Sequence, residues 1–422
     1  MRDAPEKRGA SVLIIERDEY PPFRVDVVEL FCNGLAFAGM TIDWFMISRD
    51  NGIGGVFLAE PNQRYFVGGV GGAGWIPVSV RRGWNVLRNR LHAAYRAVFG
   101  NYDIVQVRDL PIIGIIYLIA ARLSGKKFVF WLSFPMIEMI ELNAIIRRHS
   151  LHPINVLVRI AVSRAFRPIF YRIVLANSDH VFVQSARMQE DIAKMGVRHG
   201  RITPVPMCVR IAKFNSASID PKSDNRAAGK KMLVYVGSME PVRRVDEMIR
   251  VLAILTKSGL DGVLFIVGGY RRDDYAALLS VAEKEGVSDR LFFTGHLPLA
   301  VALAYVRRAD VCLSPYPTDF IHGSGTPTKL VEYLAMGRPV IANSHPDQSA
   351  VIQASGAGVC VPLTASDFAQ AAITLLSNEA LASEMSSKGP PWVRANRSYE
   401  AMVLTLLEKY KEILARTSWR VQ

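Results

Sequence analysis

Short apolar runs alternate with segments of helical periodicity along the whole chain. In the first half, four runs are typical of buried parallel strands: residues 11–15, 42–47, 103–107 and 128–132. Between them, residues 26–37 have helical spacing, and residues 111–123 form a helix that is apolar on nearly every side and therefore predicted to be buried. Strands and helices that alternate without hairpin signals predict a doubly wound α/β architecture.

The second half of the chain repeats this alternation. Its predicted strands are residues 232–236, 263–269, 291–295, 309–314 and 340–341. A chain of 422 residues is too long for one compact core, and the polar residues 215–231 lack apolar periodicity. We therefore predict an N-terminal Rossmann-like domain, a linker, a second such domain and a C-terminal helical segment: residues 1–215, 216–231, 232–390 and 391–422.

Composition and charge indicate which kinds of partner and which cellular compartment suit this protein. Half of the residues are hydrophobic, and the net charge of +13 predicts a partner with an anionic surface. The longest apolar run, residues 110–121, is too short to cross a bilayer. The cysteines are scattered, which favours neither a metal cage nor disulfides: Cys32, Cys208, Cys312 and Cys360. We expect a cytoplasmic protein, soluble or peripheral on the inner face of the plasma membrane.

Two basic stretches, both predicted to be helical, carry most of the excess charge. Residues 81–96 and 142–175 together contain eleven arginines and no acidic residue, interleaved with aliphatic and aromatic side chains. Such stretches favour docking to an anionic membrane. The alternative is that their apolar stripes are core faces and their arginines are solvated. Nucleic acid is disfavoured, because no zinc-finger, RNP or KH signature is present.

A glycine-dense segment, residues 66–74, is predicted to be a loop. It lacks the βα fingerprint before it and the correctly placed acidic residue after it that a dinucleotide site requires.

The segment with the clearest candidate chemistry is residues 314–342. A strand end leads into a loop broken by prolines and glycines, and a helix is predicted from about Thr328 to Met336. A glycine loop that runs into a helix start directs backbone N–H groups and a positive dipole end at one spot, which suits a phosphate. Lys329 and Glu332 share one face of this helix. An ordinary loop–helix–strand unit with a solvated Glu332 is the alternative.

This segment resembles the donor-binding motif of the retaining GT-B glycosyltransferases of family 4. The matching residues are Pro327, Lys329, Glu332, Ala335, Gly337, Pro339 and Val340. The resemblance implies that Glu332 binds the nucleotide ribose and that loop amides near Gly325 and Thr326 bind the diphosphate. It also implies two Rossmann-like domains that face each other across a cleft, with the last helix crossing back to the first domain.

Other donor-site residues follow from the same resemblance. Arg243 falls on the position of a diphosphate-binding lysine, and Arg244 is a candidate for a second phosphate contact. A solvated arginine pair is the alternative. Five positions depart from the family: Ser238 replaces a cation, Ser324 a glutamate, Cys208 a glycine and Arg210 an aspartate, and Ser133 stands where the family often has a histidine. The remaining candidates for donor contacts are Gly237, Gly268, His296, Leu297 and Pro327.

Candidate acceptor contacts lie at strand ends of the first domain, where ligands of α/β sheets bind. They are Arg24, Arg108 and Ser133. Arg24 with Asp26 is interpreted equally well as a surface pair near a helix start.

The resemblance implies a metal-independent hexosyltransferase without a cofactor. Lys329, Arg243 and Glu332 are the candidate catalytic residues, and a UDP- or GDP-linked sugar is the expected donor. The expected acceptor is a polyprenyl-linked glycan or a polysaccharide. Two alternatives remain open: a GT-B-like pseudoenzyme that serves as a binding subunit, and a nucleotide-sugar epimerase.

Overall fold

The computed structural model of the protein describes residues 9–49, 54–69, 78–146, 148, 152–215 and 225–416. The chain divides into two compact units. The first holds the chain up to Pro206 and its return from Met402 onward, and the second is Met207–Ala401.

The first unit contains an eight-stranded sheet in the order β3-β4-β2-β1-β5-β6-β7-β8. Every neighbouring pair is parallel except β3 and β4. The strands are β1 (Ser11–Tyr20), β2 (Thr41–Ser48), β3 (Gly55–Ala59), β4 (Gln63–Gly68), β5 (Ile104–Arg108), β6 (Lys127–Leu132), β7 (His180–Val183) and β8 (Ile202–Pro204).

Helices cover both faces of this sheet. They are α1 (Val25–Val27), α2 (Val78–Phe99), α3 (Gly114–Leu123), α4 (Met136–Ile146), α5 (Pro153–Ile169) and α6 (Ala186–Lys194). Helix α1 continues as a π-helical segment over Val28–Leu35, and α5 continues as a second π-helical segment over Phe170–Leu175. The central strands are buried throughout, so the sheet is the core of the unit.

The second unit contains a six-stranded, all-parallel sheet in the order β11-β10-β9-β12-β13-β14. This is the strand order of a doubly wound dinucleotide-binding fold, with the topological switch between β9 and β12. The strands are β9 (Lys231–Val236), β10 (Gly262–Val267), β11 (Leu291–Gly295), β12 (Val311–Ser314), β13 (Val340–Asn343) and β14 (Gly358–Val361).

The helices of the second half complete the chain. They are α7 (Ile211–Asn215), α8 (Val245–Lys257), α9 (Arg272–Glu285), α10 (Leu299–Arg308), α11 (Phe320–Gly323), α12 (Thr328–Ala335), α13 (Pro346–Ser355), α14 (Ala365–Ser377), α15 (Glu379–Asn396) and α16 (Tyr399–Ala415). None of the helices that the structure describes is both long enough and apolar enough to traverse a bilayer.

The predicted doubly wound architecture is confirmed, but the expected absence of hairpins is wrong. β3 and β4 form an antiparallel hairpin at the edge of the first sheet. Residues 66–68, predicted as the start of a glycine-rich loop, belong to β4, and residues 70–74 of that segment lie outside the described residues.

The boundary between the units lies at Pro206, not at residue 215. Val209 and Phe214 are buried in the core of the second unit, and the backbone N–H of Met207 donates to Thr326 Oγ1. These contacts hold residues 207–215 in the second unit. The predicted linker also shortens, because Lys231 already belongs to β9 and residues 216–224 lie outside the described residues.

Two predictions about apolar helices need correction. The segment predicted as a fully buried helix leaves four apolar side chains exposed, at Ile112, Ile116, Ile119 and Leu123. The second basic stretch is not one helix, because it is divided among α4, α5 and the π-helical segment Phe170–Leu175. Residues 147 and 149–151 of this stretch lie outside the described residues.

Candidate functional site

The candidate site of the second unit lies at the carboxyl ends of β9 and β12. These two strands pair at the topological switch of the sheet, which is where ligands of open α/β sheets bind. Gly237 follows β9, and Pro315 and Tyr316 follow β12. Helix α12, which carries Lys329 and Glu332, begins after the loop that leaves β12.

A tyrosine of α12 fixes this helix against β9. The backbone N–H of Val236 donates to the Tyr333 hydroxyl at 2.7 Å, and Tyr333 is fully buried. Lys329 lies one turn earlier on the helix, and its Nζ donates to the Pro315 carbonyl at 3.4 Å. A Cβ placed on Gly237 would be 3.5 Å from Nζ. The ammonium therefore lies between the ends of both central strands.

Two aromatic rings hold two cations at the site. The Lys329 ammonium lies 4.2 Å from the ring centroid of Tyr235. The Arg243 guanidinium lies 4.9 Å from that of Tyr316. A ring face attracts a cation by about 0.5–2 kcal/mol without neutralising its charge. Both cations therefore stay available to an anion.

The charge state of Lys329 is poised by its surroundings. Burial lowers the pKa of this ammonium well below its usual range, and the nearby Arg243 charge lowers it further. Glu332 acts in the opposite direction but does not outweigh them. Burial also raises the pKa of Glu332, although the charge of Lys329 counteracts this. An anion placed beside Lys329 and Arg243 would relieve the repulsion between them.

Two glycines shape the floor of the site. Gly237 and Gly268, which follow adjacent strands, both have φ near +151°. A Cβ on Gly268 would lie 2.1 Å from the Gly237 carbonyl oxygen. Only glycine permits this approach of two backbones.

The loop between β12 and α12 is held by a side chain at the end of β13 and by one that follows this strand. Asn343 accepts from the Tyr316 N–H at 2.7 Å and donates to the Tyr316 carbonyl at 2.9 Å. One ring nitrogen of His345 lies 3.0 Å from the His322 carbonyl. The Gly325 N–H donates to that same carbonyl at 2.8 Å. One of the two loop amides assigned to the diphosphate is thus engaged within the loop.

The two neighbouring arginines have different surroundings. Arg244 has a left-handed backbone, with φ of +52°, and pairs with Asp246 and Glu247 in the first turn of α8. Arg243 lies over Tyr316 instead. The backbone turn at Arg244 therefore directs the two guanidinium groups to different neighbours.

The other predicted donor residues differ from one another in burial and in their hydrogen-bond partners. Ser238 Oγ lies 3.4 Å from Glu240, while its carbonyl accepts from the Tyr235 hydroxyl. Ser324 is buried and donates to the Phe320 carbonyl. His296 is exposed beside Gly269, whereas the adjacent Leu297 packs on the core. The buried Pro327 immediately precedes α12.

In the first unit, the three predicted acceptor residues belong to one ionic network. Arg108 donates to Asp26 at 2.5 Å and to Ser133 Oγ at 3.0 Å. Arg24 lies 3.2 Å from Asp26, so this pair is part of the network. Arg108 and Ser133 are buried, whereas the Arg24 side chain is 30% exposed. Arg24 is therefore the member of this trio that solvent reaches most readily.

Two carboxylates that sequence reasoning did not select complete the network. Asp109, with φ of +53°, accepts from both the backbone N–H and the hydroxyl of Ser133. Glu16 Oε2 lies 3.7 Å from Arg108 Nη1, and burial raises the pKa of Glu16 to about 7. Burial alone would lower the pKa of Arg108, but the surrounding carboxylates raise it above its usual range.

Sequence reasoning also missed Tyr235 and Tyr316 as partners of the two cations. Tyr316 follows a strand end, which was the one available signal. Within the described residues, no group of three or more His, Cys, Asp or Glu side chains is arranged to hold a metal ion.

Comparison with protein families gives two adjoining matches. The family model described as glycosyl transferases group 1 matches residues 230–378. The model described as a glycosyl transferase 4-like domain matches residues 23–208. Together they cover most of the chain and both halves of the fold.

Individual relatives are distant. An uncharacterized glycosyltransferase of Methanocaldococcus jannaschii is 21% identical over 246 residues, which span 58% of this chain and 60% of that protein. Sucrose-phosphate synthase from Thermosynechococcus elongatus is similar in structure, with a TM-score of 0.66, 19% identity and coverage of 97% of this chain and 100% of that one.

A second solved structure was obtained with a nucleotide. Anabaena HepE in complex with UDP has a TM-score of 0.63 and 13% identity, with coverage of 95% of this chain and 100% of that one. Together with the strand orders, these likenesses establish the GT-B fold with two Rossmann-like domains.

Proposed function

The chain belongs to the group 1 glycosyl transferases, and from this premise we propose that it transfers a glycosyl group from a nucleotide diphosphate donor to an acceptor hydroxyl. The observation that carries the proposal is the convergence of Lys329 and Arg243 at the switch point of the second sheet. Two cations beside a glycine-lined strand end match the charge of a diphosphate.

The proposed chemistry follows from this charge. The bond between the anomeric carbon and the diphosphate oxygen breaks, and its electron pair stays on the departing diphosphate. Lys329 and Arg243 stabilise the negative charge that develops there, which is the type of stabilisation that contributes most in many enzymes. The acceptor oxygen forms the new bond to the anomeric carbon, and its proton passes to the departing diphosphate, which leaves as the nucleoside diphosphate. Retention of anomeric configuration and independence from metal are the expectations that the family resemblance supports.

Glu332 has a separate role in the proposal. It lies one turn beyond Lys329 on α12, so a donor with its diphosphate at the ammonium extends along the same helix face. A carboxylate accepts hydrogen bonds from two vicinal hydroxyls, as a ribose presents them. We assign Glu332 to the ribose.

The proposed donor is a UDP- or GDP-linked sugar, and the proposed acceptor is a lipid-linked glycan or a polysaccharide. The UDP complex of Anabaena HepE favours uridine for the first assays. The net charge of +13 favours an acceptor at an anionic surface, so cytoplasmic location with peripheral membrane association is part of the proposal.

The decisive experiment compares two adjacent arginines. In a thermal-shift panel of UDP- and GDP-sugars, Arg243→Ala is expected to weaken the binding of the active donor by about 10- to 100-fold, since hydrogen bonds to charged groups contribute about 1.5–3 kcal/mol. Arg244→Ala is the matched control, because Arg244 is paired with Asp246 and Glu247. We expect it to bind the donor as the wild type does.

Glu332→Ala completes the panel. This variant is expected to bind nucleotide sugars more weakly than the wild type and to bind inorganic diphosphate equally well. Equal losses in Arg243→Ala and Arg244→Ala would refute the assignment of the phosphate site. Donor binding without hydrolysis or transfer to any glycan acceptor would refute turnover and identify a binding subunit.

A further inference from the structure

Three helices of the first unit expose apolar side chains in stripes. On α2 the stripe recurs with helical spacing and is formed by Trp84, Leu87, Leu91, Tyr95 and Phe99. Trp84 is 67% exposed and Phe99 is 72% exposed. On α3 and the turn before it, Ile112, Ile116, Ile119 and Leu123 continue the pattern. On α5, the exposed apolar residues are Ile154, Leu157, Val158 and Val162.

The chain topology places these helices on one side of the sheet. α2, α3 and α5 each connect parallel strands that advance in the same direction, from β4 to β5, β5 to β6 and β6 to β7. Such crossovers are right-handed and therefore put their helices on the same face. α2 also packs directly against α3.

An apolar groove links the stripes of α3 and α5. Its walls include Ile112, Ile140, Val158, Val162 and Phe166, and its volume is about 210 Å³. Its polar lining is confined to Arg159 and the buried Ser163, whose hydroxyl donates to the Ile137 carbonyl. The groove is thus wide enough for a side chain or hydrocarbon segment and offers it mainly apolar contacts. We call the three stripes and this groove the apolar face.

Arginines accompany the apolar face. Arg88 lies on α2 and Arg159 on α5, and both are exposed. Arg164 and Arg167 are also exposed, although Glu141 and Glu138 of α4 pair with them. The face therefore combines large exposed apolar side chains with positive charge, whereas a soluble surface of this size normally carries few such apolar groups.

We propose that the apolar face binds the surface of an anionic lipid bilayer. Trp, Tyr, Leu and Ile are the side chains that enter the interfacial region, and arginines beside them pair with anionic headgroups. The groove, which lies between α4 and α5 and beside Ile112, accepts a hydrocarbon chain. This face gives the membrane association in the proposed function a location, and bilayer binding is measured without turnover, so the two proposals fail separately.

Flotation of the full-length protein with vesicles tests the proposal. We expect binding to phosphatidylcholine vesicles that contain phosphatidylglycerol, weaker binding in high salt, and little binding to phosphatidylcholine alone. Arg88→Gln with Arg159→Gln should weaken binding about 30-fold, the equivalent of about 1 kcal/mol for each arginine near an anionic leaflet. Leu91→Glu with Leu157→Glu should abolish it.

The matched control is Leu404→Glu, which replaces an apolar residue of α16 that is 65% exposed. This variant should float as the wild type does, and circular dichroism should show that every variant is folded. Equal binding to neutral and anionic vesicles, or an equal loss in Leu404→Glu, would overturn the proposal. A wild-type dimer that Leu91→Glu with Leu157→Glu dissociates, without vesicle binding, would also overturn it and identify a protein interface.

Discussion

The two sheets have the same strand order around their switch points, yet the cations at those points have opposite surroundings. In the first unit, Arg108 is fully buried among Glu16, Asp26 and Asp109. In the second unit, Lys329 lies beside a second cation, Arg243. The carboxylates raise the pKa of Arg108, whereas burial and the neighbouring cation lower the pKa of Lys329.

This difference separates a structural cation from a binding cation. Arg108 already has its counterions, so its charge contributes to holding three strand ends and α1 together. Lys329 and Arg243 repel each other until an anion arrives. The switch point thus serves stability in the first unit, through a strand-end arginine, and, we infer, ligand binding in the second, through a lysine on the helix that follows the switch strand.

The largest effect on stability is expected from Arg108→Ala. Removing this guanidinium leaves buried carboxylates without compensation, which costs about 3–5 kcal/mol of unfolding free energy. Urea unfolding measures the loss. Arg250→Ala is the control, because its pairs with Asp246 and Glu247 lie on the surface, where we expect a loss of less than about 1 kcal/mol. Similar losses in both variants would contradict the contrast between the units.

Lys329→Met is expected to lower activity without lowering stability. Its kcat/KM for sugar transfer should fall about 10²- to 10³-fold, the usual loss when one stabilising group is removed from a developing negative charge. Its unfolding free energy should stay equal or rise, because the wild-type charge is unfavourable where it lies. Lys388→Met, on an exposed pair with Glu384, controls for loss of a lysine. Destabilisation of Lys329→Met comparable to that of Arg108→Ala would remove the distinction.

A smaller effect concerns pH. The charge of a bound nucleoside diphosphate should raise the lowered pKa of Lys329, so binding takes up a proton between the free and bound pKa values. The complex holds more protons, and affinity therefore falls as pH rises through this window, by at most about tenfold per pH unit. Calorimetry in buffers of different ionisation enthalpy measures the uptake above about pH 7, where the phosphate's own titration near pH 6 is over.

Lys329→Arg is the control for this dependence. A guanidinium stays protonated over the whole range, so the variant should bind without proton uptake. Proton uptake that persists in Lys329→Arg would assign the titration to another group.

Much of the fold was predictable because strand and helix periodicities are local. The strand that ends at Val236 and the helix that contains Lys329 were predicted within a residue or two. The β3–β4 hairpin was missed, since its two strands are only five and six residues long, and β4 ends inside the glycine-dense segment that was predicted to be a loop. The apolar helix α3 was predicted as buried, since composition alone does not reveal that one of its sides has no covering element within the described residues.

The candidate site was predicted only in part. The resemblance placed Lys329, Arg243 and Glu332 in one donor site, and their side chains do lie together on the second unit. It put Arg243 on the phosphate-binding position and left Arg244 as an assisting ligand, whereas a left-handed backbone at Arg244 places that guanidinium beside Asp246 and Glu247. Tyr235 and Tyr316 became partners of the cations through strand pairing across some eighty residues, which no local pattern encodes.

The sequence by itself determined the order of strands and helices, the excess of positive charge and the residue types at the start of α12. Tertiary structure decided which charges meet. Charge pairing depends on distances of a few ångströms between strand ends that are remote in the chain, and sheet order sets those distances. The sequence therefore supplied cations to both units. Packing then placed Arg108 among carboxylates that neutralise its charge, and it placed Lys329 beside another cation.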